Sequence, residues 1–198
     1  MNTLYVIVLF AHIVGMLALF LAIGVQLVAL MRLYNARAVM QVREWINAIV
    51  AVGRIAPAAS LLILSAGLYM TFAEWSIAAA WIDVSLAAFV MLGILGSAVN
   101  RRKLAAMQDA ARQAPDGAVT TELRRLIHDA ALRTSVYVSG WLGLGIVCLM
   151  TVKPDLIGSL AVMVMSVLLG LLSARIPGRA QKAAPEEQGL PEPAISRE

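Results

Sequence analysis

Five apolar runs, each long enough to cross a bilayer, constrain this chain more than any other feature. A hydrocarbon layer about 30 Å thick is spanned by roughly 20 helical residues at about 1.5 Å each. Inside lipid a continuous apolar segment satisfies its own backbone N–H and C=O groups by forming a helix. The runs fall at about residues 4–31, 50–72, 77–99, 135–152 and 156–176. Composition agrees, with 61% apolar and only 14% charged residues, whereas a soluble domain carries about 25% charged ones. The expected fold is therefore all-α: a polytopic transmembrane helix bundle of five spans, with the lipid bilayer as its first partner.

The segments between the runs organise the chain. The first run follows Met1-Asn2-Thr3 with no basic leader, and it is too long for a removable signal peptide, so it is expected to be a retained helix. A polar segment at 32–44 holds Arg32, Arg37 and Arg43, with Asn35 as its turn residue, and Pro57 is expected to kink the second span or mark its first turn. Residues 100–133 are hydrophilic, with Pro115-Asp116-Gly117 as a turn signal in the middle. Leu104, Met107 and Ala111 recur at helical spacing before that turn, and Leu123, Leu126, Ile127 and Ala130 after it. This reads as a cytoplasmic helical hairpin over 100–133. The four prolines and mixed charges of 177–198 read as a disordered cytoplasmic tail.

Charge sets the expected orientation. Of 16 lysines and arginines, every one except Lys153 falls in three basic regions: Arg32 to Arg54 around the start of span two, the 100–133 segment, and Arg175 onward at the C-terminus. Positive residues stay on the cytoplasmic side, so the N-terminus is expected outside and the C-terminus inside. Trp75 and Trp81, at the outer start of span three, suit the headgroup level. The net charge of +4 is thus topological, and no nucleic-acid partner is expected. The lone Cys148 lies in an apolar run and forms no disulfide framework.

His12 is the leading candidate for chemistry, because an ionisable side chain two turns inside a span is costly and invites a functional explanation. At helical steps its neighbours are Gly15, Leu19, Ala22 and Gln26, a small and polar stripe suited to facing other helices. Such a histidine either hydrogen-bonds across a helix interface, handles a proton, or ligates haem b or copper through a neutral imidazole. Asp83, near the outer end of span three, is a candidate carboxylate behind that imidazole, or simply a helix-start residue beside Trp81. Met16, one turn after His12, would suit copper(I). His128 belongs to the cytoplasmic hairpin while His12 is expected in the outer half of the bilayer, so most of a core about 30 Å thick keeps them from sharing an iron. Gly93 with Ser97, and Ser139 with Gly143, are small-residue pairs that let helices pack closely, within the chain, in a homo-oligomer or against another membrane protein. No Walker loop, Rossmann glycine pattern, HExxH, GxSxG or CxxC occurs. The expectation is a non-enzymatic packing or binding component of the membrane; a haem-linked oxidoreductase is the enzymatic alternative.

The opening Leu9-Phe10-Ala11-His12-Ile13-Val14-Gly15, with the long apolar helix that ends in an arginine, resembles a family of bacterial predicted integral membrane proteins of unknown function. The resemblance extends over most of residues 1–176 through the spacing of spans and the basic hairpin, and it implies a multi-pass protein of the cytoplasmic (inner) membrane. More distantly, a histidine at this point of the first helix is similar to copper-resistance D proteins and to HemJ-type protoporphyrinogen oxidases; the latter resemblance implies a haem or porphyrin ligand at His12. Met16-Leu17-Ala18 stands where HemJ-type sequences carry an aromatic residue, and no lysine lies inside a span. What the resemblance carries over is the architecture and the position of His12.

Overall fold

The computed structural model describes residues 3–74 and 79–175. The C-terminal tail, Trp75 and the turn into span three lie outside the described residues. Among the described residues, eight α-helices and one π-helical segment build five long rods: α1 (Thr3–Tyr34); α2 (Val39–Gly53) with α3 (Ile55–Glu74); α4 (Ala80–Ile94), the π segment (Leu95–Asn100) and α5 (Arg101–Gln113); α6 (Thr121–Ile127) with α7 (Ala130–Val152); and α8 (Leu156–Arg175). All five rods are long and apolar enough to cross a membrane. The protein is a multi-pass helical membrane protein.

Each break in a rod has a local cause. Pro57 has no N–H and its ring crowds the carbonyl four residues back, so α2 ends at Gly53 and α3 restarts after Arg54, with Pro57 in its first turn, where the missing donor costs little. Thr120 accepts a hydrogen bond from the Leu123 N–H (3.3 Å) to start α6, and Asp129 accepts one from Leu132 (2.9 Å) to start α7. Lys153 takes the left-handed conformation (φ 53°) that closes α7, and Asp155 then accepts from the Gly158 N–H (2.9 Å) as α8 begins.

α7 is the central element. Half of the apolar window in its rod is buried, against 17–22% in the other four, and it packs against α1, α4 and α8. Small residues permit this position. A side chain on Gly170 of α8 would strike the Val138 backbone, with its Cβ 2.7 Å from Cα. Ile23, Ala88, Leu92, Leu142 and Ile146 fill the contact between α1, α4 and α7. Leu17, Leu61, Val90 and Leu168 are among the large apolar side chains on the outside of the bundle, where lipid rather than water would meet them.

The polar end differs from the expected loop-plus-hairpin arrangement. Residues 32–44 are largely helical: α1 runs on through Tyr34, α2 begins at Val39, and only the short link 35–38 turns. Val39, Val42, Ile46 and Ile49, spaced three or four apart, are buried on one face of α2 although Gln41, Arg43, Glu44 and Asn47 interleave them. They meet Leu33 of α1, Met107 of α5, and Leu123 and Ile127 of α6 in a core like that of a soluble domain. Hence α5 and α6 do not form a free-standing pair; α2 is their third wall. A single antiparallel bridge joins Ala38 to Ala118, with Val39 N–H donating to Gly117 O (2.9 Å) and Val119 N–H to Arg37 O (3.1 Å). Arg43 of α2 donates to Ala111 O (2.8 Å), to Ala114 O (2.7 Å) and to the Asp116 carboxylate (2.6 Å). It thus caps the unsatisfied carbonyls at the C-terminus of α5, where the helix dipole also favours a cation.

Candidate functional site

The site begins where α1 packs closely along α3. Gly15 allows it: a Cβ there would lie 2.9 Å from Ile63 Cγ1 and 3.2 Å from the Ala59 carbonyl oxygen. One turn earlier on α1, His12 is 5% exposed, and its Nδ1 lies 2.9 Å from the Ile63 carbonyl oxygen. One turn beyond Ile63, Gly67 leaves room for the ring; a Cβ there would stand 3.2 Å from His12 Cε1. Two glycines on two helices therefore let one imidazole sit between them.

The hydrogen bond assigns the tautomer. A carbonyl oxygen only accepts, so Nδ1 carries the proton and, in the neutral ring, Nε2 keeps its lone pair. A backbone carbonyl on one ring nitrogen is also the arrangement that orients imidazoles whose other nitrogen binds a metal.

His12 lines a cavity of about 360 Å³ between α1, α3, α4 and α7, a size in the range of about 300–1,000 Å³ typical of small-molecule sites. Its walls are apolar, and four aromatic side chains, Tyr5, Phe20, Trp81 and Phe89, contribute to them. Two hydroxyls in the wall are already spent on their own helices: Thr71 donates to Gly67 O (2.9 Å) and Ser85 to Trp81 O (2.6 Å). Tyr5 and Lys153, near helix ends, bring polar groups to the rim, and the Lys153 ammonium stands 5.8 Å over the Trp81 ring. Among the polar side chains that line the cavity, His12 is a buried one that keeps an atom, Nε2, outside its helix contact.

The other sequence candidates divide. Met16 lines the same cavity, and the fold adds Met70 from α3 and Met150 from α7. Among the described residues no three of His, Cys, Asp and Glu come together as a metal set, so a soft metal here would depend on thioethers beside His12. Asp83 is exposed in the first turn of α4 and is not part of the cavity wall; the group behind the imidazole is the Ile63 carbonyl. His128 lies at the opposite end, its Nδ1 2.9 Å from Arg124 O and its ring 5.1 Å from that of Tyr34. The 22 residues of helix from His12 to Tyr34 separate the two histidines by about 33 Å.

Among the packing residues, Gly15 and Ala22 are buried and Gln26 is half-buried. Gly143 is buried against Phe20, whose Cζ would be 3.3 Å from an added Cβ, while Ser139 is buried without a hydrogen-bond partner. Gly93 and Ser97 face outward; nothing lies within 4 Å of a Cβ on Gly93, and Ser97 donates to Gly93 O (2.8 Å).

Sequence reasoning did not reach Ile63, Trp81, Phe89 or Met150 as site residues. In the sequence, Gly67 is one of three small residues at seven-residue steps, Gly53, Ser60 and Gly67, which does not single it out. Its four-residue step from Ile63 was the available signal, since it repeats the helical period of the histidine's own face.

No protein family, no curated protein and no solved structure matches this chain. The architecture therefore rests on the chain's own residues: five helices long and apolar enough to cross a membrane.

Proposed function

We propose that this protein is a membrane-embedded binding component that holds a small, mostly apolar ligand between α1, α3, α4 and α7, with His12 Nε2 as the deep polar contact. One observation carries the reading: an imidazole with a fixed tautomer lines an otherwise apolar cavity of about 360 Å³. An apolar molecule dissolved in the bilayer can reach such a site without crossing water. In this reading the basic end faces the cytoplasm by the positive-inside rule, and the cavity belongs to the outer half of the membrane.

A second reading follows from the same hydrogen bond. The Nδ1 contact with a backbone carbonyl favours metal ligation at Nε2, which supports a b-type haem with His12 as one axial ligand. Haem would supply one-electron chemistry; the chain itself would contribute the ligand and the apolar wall. Copper(I), through His12 and Met16, uses the same wall.

The absorption spectrum of gently purified protein, oxidised and dithionite-reduced and produced with haem precursor, separates these readings. A Soret band lost in His12→Ala establishes haem ligation. A featureless spectrum in folded protein removes haem and leaves the small-ligand reading, and metal analysis of the same sample decides copper.

A further inference from the structure

The cavity reading leaves the ligand's chemistry open, and the geometry narrows it. Nδ1 donates to Ile63 O, so the face of His12 left for a ligand is the Nε2 lone pair, a hydrogen-bond acceptor. An acceptor in an apolar wall selects for a molecule that brings its own donor, because a buried polar group without a partner is penalised. The nearby hydroxyls do not compete for that role, since Thr71 and Ser85 donate to carbonyls of their own helices. The wall around the imidazole is aromatic and thioether-rich, with Phe20, Trp81 and Phe89 beside Met16, Met70 and Met150. Aromatic rings and polarizable sulfurs favour contact with another ring, through offset stacking and sulfur–ring contacts.

We infer that the ligand is a lipid-soluble aromatic alcohol, a phenol or hydroquinone head group, whose O–H donates to His12 Nε2 while its ring lies against the aromatic and methionine side chains. The inference rests on the cavity reading above and adds the ligand class to it. An alkyl chain on such a ring would leave along the same apolar wall into the lipid. Binding alone is proposed.

The test compares a decyl-substituted hydroquinone with its dimethyl ether and with the corresponding quinone, using full-length protein in lipid nanodiscs and correcting for partition into empty nanodiscs. The hydroquinone is expected to bind about tenfold more tightly than the ether or the quinone, the equivalent of about one hydrogen bond. That preference disappears in His12→Ala and survives in His128→Ala, at the far end of the bundle. Gly67→Ala, which pushes on His12 Cε1, weakens the preference even where His12→Ala fails to fold. Equal binding of all three probes by the natural protein overturns the hydroxyl inference and leaves the cavity reading standing. Failure of all three to bind overturns both.

Discussion

At the residue scale, the protein depends on where side chains are missing as much as on where they are present. Gly15 has no room for a Cβ between Ile63 and the Ala59 carbonyl. Gly15→Val is expected to push α1 from α3 and cost about 1–3 kcal/mol, read as a lower thermal unfolding midpoint in detergent. Valine is the better probe, because the higher helix propensity of alanine, about 1 kcal/mol over glycine, would mask part of the clash. Gly67 acts differently. The atom its Cβ would meet belongs to the imidazole, so Gly67→Ala is expected to leave the midpoint nearly unchanged while altering whatever His12 binds. A large drop in midpoint for Gly67→Ala would mean that the ring is wedged rather than seated.

At the scale of elements, the polar end is held by contacts that ordinary helix pairing would lack. Arg43→Ala removes three hydrogen bonds onto the end of α5 and its turn. Its side chain is partly exposed, so the expected cost is about 1–2 kcal/mol, with faster amide exchange and proteolysis confined to residues 111–118. Arg43→Lys is expected to recover little of it, since an ammonium cannot reproduce the planar fork. Lys103 and Asp129 pair at 2.7 Å where α5 meets the start of α7, ahead of the apolar stretch 135–152. Burial pushes the Asp129 carboxyl up, but the Lys103 ammonium and the N–H groups of Leu132 and Ala131 outweigh it and hold the group below the usual carboxylate range. A depressed folded value means that this pair stabilises above the unfolded carboxyl's pKa of about 4 and loses that contribution as pH falls through the folded value. Asp129→Asn should therefore flatten the acid side of the stability profile and change nothing in its alkaline side.

At the scale of the whole molecule, two regions with different solvents share one chain. The apolar part buries little of its surface and relies on lipid, whereas the basic end has a core built as in water, from Leu33, Val42, Met107, Leu123 and Ile127. The proposed orientation makes a direct prediction: a reporter inserted in the turn at 115–117 is active only in the cytoplasm, and one in the turn at 153–155 only outside. The reverse pattern would invert the placement of the His12 cavity in the membrane. The central position of α7 implies that its substitutions are felt widely, because its burial exceeds that of every other rod.

Five continuous apolar stretches of about 20 residues determined, without any tertiary information, that the chain is a helical membrane bundle, because in hydrocarbon a stretch of that length and pattern satisfies its own backbone as a helix. His12 was equally legible, since a lone ionisable residue in such a stretch stands out against its neighbours. The sequence misplaced the start of α2 at the polar end. There the interleaved Gln41, Arg43, Glu44 and Asn47 obscure the period of Val39, Val42, Ile46 and Ile49, which makes sense only once α5 and α6 supply a second surface to bury it. The partner of His12 could not be read at all: Ile63 contributes a backbone carbonyl, and any residue offers one of those. Nor could the sequence show that Asp83 points away, or that Met70 and Met150 join Met16 around one cavity, because those outcomes depend on how α3, α4 and α7 rotate as they pack. Local hydropathy decides what a segment is; which faces meet is decided by small residues and side-chain volumes distributed over helices far apart in the chain.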